Sequence, residues 1–139
     1  MSWLLDTCVI SELIKPRPRS RVVSWLGSQH EEHLFLSSIT IGEIQKGISK
    51  LPESSKRNKL QEWLDFDLME RFDQRILGID SLAARKWGEI QALSEKSGIK
   101  TPVVDGLIAA IGIVHDLTVV TRNIHDMEVS GVKLFNPWE

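Results

Sequence analysis

Short apolar runs alternate with stretches of helical periodicity along the whole chain. Trp3-Leu4-Leu5 is too short and too apolar for an exposed strand and predicts a buried one. A turn of helix from about Val9 to Ile14 is expected to stop at Pro16, because the residue before proline is driven out of the α region. Val22, Val23, Trp25 and Leu26 form a short apolar helix face ending near Gly27, and Leu34-Phe35-Leu36-Ser37 predicts a second strand. Ile41, Ile44, Ile48 and Leu51 recur at helical spacing, so a helix is expected from Thr40 to Leu51, before Pro52. The chain reads as helical again from Ser54 to about Arg71, and Ile76-Leu77-Gly78-Ile79 reads as a third strand. A helix over residues 81–97 closes at Gly98, and the next opens at Pro102 with Thr101 as its cap and runs to about His115. Thr118-Val119-Val120-Thr121 and Val132-Lys133-Leu134-Phe135 complete the strands.

Alternation of strands and helices implies an α/β fold, with a mostly parallel central sheet flanked by helices on both faces. Right-handed crossovers then bring the loops after the strands to one edge of the sheet. At 139 residues, 42% of them hydrophobic and 26% charged, the chain is expected to be one domain spanning 1–139, with no repeat or linker. The longest uncharged apolar run, Gly106 to Val114, is about half of the ~20 residues that a membrane span needs. No basic segment followed by an apolar stretch opens the chain, so no signal peptide is expected. The single cysteine, Cys8, cannot form an internal disulfide, which fits a cytoplasmic protein.

The net charge of −2 is unevenly spread. Residues 1–60 carry nine Lys/Arg against six Asp/Glu (+3), and residues 61–139 carry eight against thirteen (−5). Lys15-Pro16-Arg17-Pro18-Arg19-Ser20-Arg21 is the densest basic cluster, and such a patch can hold phosphates or simply be a solvated loop.

Four acids stand where this architecture concentrates its chemistry. Asp6 ends the first strand, Asp126 follows the Thr118–Thr121 strand by a short polar loop, and Glu43 and Asp105 lie near helix starts. Gathered carboxylates raise each other's pKa unless a cation neutralises them, and hard oxygen ligands suit Mg²⁺ or Mn²⁺. Three of the four also have structural readings. Thr40-Ile41-Gly42-Glu43 fits a capping box, Asp6 can cap the helix after it, and Asn123-Ile124-His125-Asp126 can be a turn or helix start. Asp105 is harder to explain that way, because its helix has no other charge until Asp116 and a buried unpaired carboxylate is costly. Ala109 and Gly112 follow on its face and are expected to leave room above it.

Other chemistries of the same fold class lack their residues. A haloacid-dehalogenase-like phosphatase needs a second acid two residues after its nucleophile, but Cys8 stands in that place. A receiver domain needs an acidic pair and a late lysine, and no Gly-x-Ser-x-Gly nucleophile elbow occurs. The four histidines show no zinc spacing.

The acids sit in four motifs that together resemble PIN-domain ribonucleases. These are Leu4-Leu5-Asp6-Thr7-Cys8-Val9-Ile10-Ser11-Glu12-Leu13, Ser37-Ser38-Ile39-Thr40-Ile41-Gly42-Glu43-Ile44-Gln45-Lys46-Gly47-Ile48, Thr101-Pro102-Val103-Val104-Asp105-Gly106-Leu107-Ile108-Ala109-Ala110, and Val120-Thr121-Arg122-Asn123-Ile124-His125-Asp126-Met127. Their order and spacing cover the chain from residue 4 to about 137. Ser11-Glu12-Leu13-Ile14-Lys15-Pro16, with Val23, Trp25 and Leu26 downstream, is similar to the FitB-like subgroup of the VapC branch. Met127 departs from the phenylalanine that often follows the fourth acid, a change in packing.

The resemblance implies the toxin of a type II toxin–antitoxin system, a Mg²⁺- or Mn²⁺-dependent endoribonuclease that forms a homodimer. It also implies a cognate antitoxin with a DNA-binding region, through which the complex binds operator DNA. In that reading Asp6, Glu43, Asp105 and Asp126 hold the metal, Thr7, Thr121 and Asn123 support them, and Arg17, Arg19 and Lys46 contact RNA. The competing expectation is a catalytically silent PIN-fold partner in a DNA-binding complex, whose mark would be loss of an acid; all four are present. An apolar groove for an antitoxin helix is expected among Trp25, Trp63 and Leu64.

Overall fold

Five short strands, β1 (Trp3–Leu5), β2 (Leu34–Ser37), β3 (Ile76–Leu77), β4 (Thr118–Val120) and β5 (Leu134–Phe135), pair in the order β3-β2-β1-β4-β5. Every neighbouring pair is parallel, with Trp3 opposite both Leu34 and Thr118, and Leu5 opposite Val120. The structure is a computed structural model describing residues 1–139. Because β1 is central and all strands run the same way, their carboxyl ends line one edge. The order reverses between β1 and β4, where such sheets open a crevice.

The helices are α1 (Thr7–Leu13), α2 (Ser20–Gly27), α3 (Ser38–Ser49), α4 (Ser55–Glu62), α5 (Met69–Arg71), α6 (Ser81–Ser97), α7 (Val103–Val114) and α8 (Ile124–Met127). Successive strand residues point to opposite faces, so the sheet divides the core in two. Leu5 and Val120 join Val9, Ile10, Val22, Ile44, Ile48, Leu64 and Phe72 on one side. Leu4 and Val119 join Ala83, Ile90, Ile108 to Ile111 and Met127 on the other. The apolar run of α7 is thus explained by burial against the sheet.

Local chemistry sets the helix ends, and in places differs from the sequence expectation. The Ser37 hydroxyl accepts the Thr40 amide at 3.0 Å, so α3 starts at Ser38, two residues before the expected Thr40. That leaves Thr40 inside the helix and removes the capping role foreseen for Glu43. Gly98 closes α6 at φ +73°, a left-handed conformation that a side chain would strain. Thr101 does not cap α7: Pro102 occupies the cap position, no side chain caps the helix, and the buried Thr101 hydroxyl has no partner. Nor does Gly112 leave room over Asp105. A Cβ there would meet Val119 Cγ2 at 2.9 Å and Val132 Cγ2 at 3.0 Å, so this glycine lets α7 lie against the sheet.

Between α4 and α5 the residues Trp63–Leu68 form a π-helical stretch, with Leu64 and Leu68 buried. Trp25 is also drawn inward, packing edge-on against Trp3 at 4.9 Å and against Phe135 at 5.0 Å. Of the three residues expected around a groove, only Trp63 lines one.

Candidate active site

The first acid is fixed by the two strands that flank the switch point. Asp6 follows β1 and is only 3% exposed. Its Oδ1 accepts the Thr7 amide at 2.8 Å, and its Oδ2 accepts the Thr121 hydroxyl, from just past β4, at 2.8 Å. Burial pushes its carboxyl above the ordinary value, against the pull of the Thr121 and Thr7 bonds, and the charge of Glu43 adds to the rise.

Glu43 lies within α3, one turn and more past its start, and its Oε1 accepts the Thr7 hydroxyl at 2.5 Å. Thr7 Oγ1 is also within 3.1 Å of Thr40 Oγ1. Thr7 and Thr121 therefore each hold one acid. Asp105, in the first turn of α7, is half-buried, and its carboxyl is pushed up to about 6. Burial is the largest cause, followed by the charges of Asp6, Asp126 and Glu43 in that order. Asp126 sits half-buried in the first turn of α8. Residues 6, 43, 105 and 126 thus act on one another electrostatically at the carboxyl edge of the sheet.

The other anticipated residues divide. Asn123 reaches this network through its backbone amide, which donates to Thr121 Oγ1 at 2.9 Å, and its exposed side chain does not cap α8. Arg17 and Arg19 are exposed beyond the far end of α1, where buried Glu12 accepts the Arg19 amide at 3.0 Å and pairs with Lys15 at 3.0 Å. Lys46 is exposed on α3, one turn after Glu43. Burial, followed by Asp6, raises the Cys8 thiol, so it stays protonated beside the acids. The sequence reading passed over Arg122. Its guanidinium lies 4.6 Å from the centre of the Trp138 ring, and its charge reaches Cys8. The signal was its place in Thr121-Arg122-Asn123, between two residues already singled out.

No three of these acids converge into a ready-made ligand set for a metal ion. As donors they nevertheless fit a hard divalent cation: all are carboxylates, and Asp105 carries the uncompensated repulsion of the other three. An apolar groove of about 160 Å³ runs from this edge between α1, α3 and α4, lined by Ile10, Ile14, Ile44, Ile48, Leu60 and Trp63. Thr7 and Glu43 line its end, so the groove opens onto the acids.

A family model described as PIN domain matches residues 3–127. Toxin FitB of Neisseria gonorrhoeae is 39% identical over 135 residues, covering 97% of each chain. VapC ribonuclease Y4jK of Sinorhizobium fredii is 35% identical over 136 residues, 98% of this chain and 97% of that protein. A solved structure of FitAB bound to an IR36 DNA fragment contains a chain that superposes with a TM-score of 0.94 at 37% identity, covering 99% of this chain and 96% of that one.

Proposed function

The chain belongs to the PIN-domain family, and on that premise we propose that it is the toxin of a type II toxin–antitoxin pair, a Mg²⁺- or Mn²⁺-dependent endoribonuclease. The observation that carries the reading is the raised carboxyl of Asp105, under pressure from Asp6, Asp126 and Glu43. Such repulsion works against folding, and a bound cation offsets it. Asp6 and Asp105 are the direct metal ligands, and Glu43 and Asp126 complete the set or orient water. When bound, the ion polarises the phosphoryl group and lowers the pKa of the attacking water. Thr121 and Thr7 hold Asp6 and Glu43 in orientation, which removes the need to order those side chains during the reaction. Arg122, with Arg17, Arg19 and Lys46 further out, offers positive charge to the RNA backbone.

The apolar groove suits an amphipathic antitoxin helix, and a basic side chain at the helix end can enter among the acids. The antitoxin's DNA-binding part brings the complex to operator DNA, and the toxin itself acts as a homodimer. The competing reading, a silent PIN-fold partner, is disfavoured because no acid is missing. The test is cleavage of structured RNA by the partner-free protein. Cleavage with Mg²⁺ or Mn²⁺, stopped by EDTA and by Asp6→Asn or Asp105→Asn in folded protein, is the expected result. Undiminished cleavage by folded Asp105→Asn would overturn the assignment.

A further inference from the structure

A second, polar cleft of about 380 Å³ lies where the end of α6 meets the start of α7, lined by Gln91, Ser94, Glu95, Lys100, Thr101 and Val103. Two polar atoms in its wall are buried without a hydrogen-bond partner, Thr101 Oγ1 and Gln91 Nε2. Thr101 is only 4% exposed, so its idle hydroxyl is not a solvated surface group. Buried polar atoms are ordinarily paired, and two orphans in one cleft call for a ligand that pairs them. Ser94 is not available for this, since its hydroxyl donates to the Ile99 carbonyl and accepts the Thr101 amide at 2.8 Å.

The cleft adjoins the acidic site. Thr101 and Val103 precede Asp105 by four and two residues. A Cβ on Gly106, the residue after Asp105, would collide with Gln91 Nε2. Gly106 therefore admits the Gln91 amide against α7, one residue from a proposed metal ligand.

We propose that this cleft receives one unpaired base of the RNA, next to the bond that is cut, and reads its identity. This rests on the ribonuclease reading above. Sequence-specific RNA recognition takes splayed single-stranded bases and hydrogen-bonds their edges. Gln91 and Thr101 place an amide and a hydroxyl in the wall, and Glu95 adds an acceptor. Exposed Val103 gives the ring an apolar wall. A backbone phosphate is the poorer fit, because Glu95 on the same wall offsets the charge of Lys100 and Asp105 follows in the first turn of α7, so the cleft has no net positive charge.

The experiment uses the full chain and four single-stranded RNA pentamers that differ only in the central base. With Mn²⁺, wild-type protein should cleave one pentamer at least about tenfold faster than the poorest. Gln91→Met, which keeps the side-chain length, and Thr101→Val, which keeps the shape, should each collapse that preference while circular dichroism and melting report a folded protein. The same four pentamers are titrated, without cleavage, onto folded Asp105→Asn protein, where the same base should bind tightest and the Gln91→Met change should equalise the affinities. Equal wild-type rates for all four bases, or a preference that survives both substitutions, would overturn the proposal. A uniform slowing of all four pentamers would also overturn it, in favour of a phosphate contact or a packing role. Absence of any cleavage counts against the ribonuclease reading, and the binding titration still decides the base pocket.

Discussion

Thr7 Oγ1 donates to Glu43 Oε1 at 2.5 Å, a bond that ties the first turn of α1 to the interior of α3 across 36 residues of sequence. With Ser37 already capping α3, Glu43 is free of that duty. Glu43→Gln keeps an oxygen for Thr7 but loses the charge. It should lower cleavage by about 100-fold or more and change stability by less than about 1 kcal/mol. Ser37→Ala should do the reverse, costing about 1 kcal/mol of stability. Rates per folded molecule and urea melts distinguish the two. A fully active Glu43→Gln protein would remove Glu43 from the site.

The pH response follows from Asp105. Its folded carboxyl titrates at about 6, above the ordinary 3.8. Between those values the folded chain binds the proton more tightly than the unfolded chain. The contribution of this group to stability is therefore fully present below 3.8 and is lost as pH rises through about 6. In EDTA, Asp105→Asn should melt higher than wild type at pH 8, with the gap closing towards pH 4. Cleavage should show the opposite trend at limiting metal, because proton and cation compete for the same carboxylate, and its rise should move to lower pH as metal is added. A melting difference independent of pH would refute the assignment of this acid.

Partner binding can be blocked without touching the acids. Gly47 lines the apolar groove, and a Cβ there would meet nothing within 4 Å. Gly47→Glu should fold, with about 0.5–1 kcal/mol gained from helix propensity, and should weaken antitoxin binding by about 100-fold while RNA cleavage persists. Calorimetry against the antitoxin is the measurement. The same titration in EDTA and in Mn²⁺ should give tighter binding without metal, because a basic antitoxin side chain and the cation compete for the same charge.

Gly112 is the contrasting glycine. Gly112→Ala should destabilise the protein, since overpacking against Val119 and Val132 costs about 1–3 kcal/mol and the propensity gain offsets only part of it. A raised melting temperature would show that the α7–sheet contact has slack.

The alternation of apolar runs made the sheet and its helices legible, because strand and helix periods differ and prolines and glycines mark the joins. The strand order was beyond the pattern, since Leu4 and Leu5 face opposite cores and look alike in sequence. The motifs singled out four acids, and three of them, Asp6, Asp126 and Glu43, act electrostatically on the fourth, Asp105. Their supports were partly legible: Thr7 and Thr121 do bind acids, but Asn123 does so only through its backbone. The Thr40 cap failed because Ser37, three residues earlier, starts the helix and accepts the Thr40 amide, which leaves Thr40 inside the first turn. Trp25 failed as a groove residue because Trp3 and Phe135, distant in sequence, enclose it.

The central position of β1 has a consequence for synthesis. Its carboxyl end supplies Asp6 long before the Thr121 hydroxyl that orients Asp6 arrives with β4, and Asp126 follows later still. At about 5–20 residues per second, the acids at 43 and 126 leave the ribosome roughly 4–17 seconds apart. A chain stopped between residues 43 and 105 thus carries two of the four acids, and the activity proposed above waits for α7, β4 and α8.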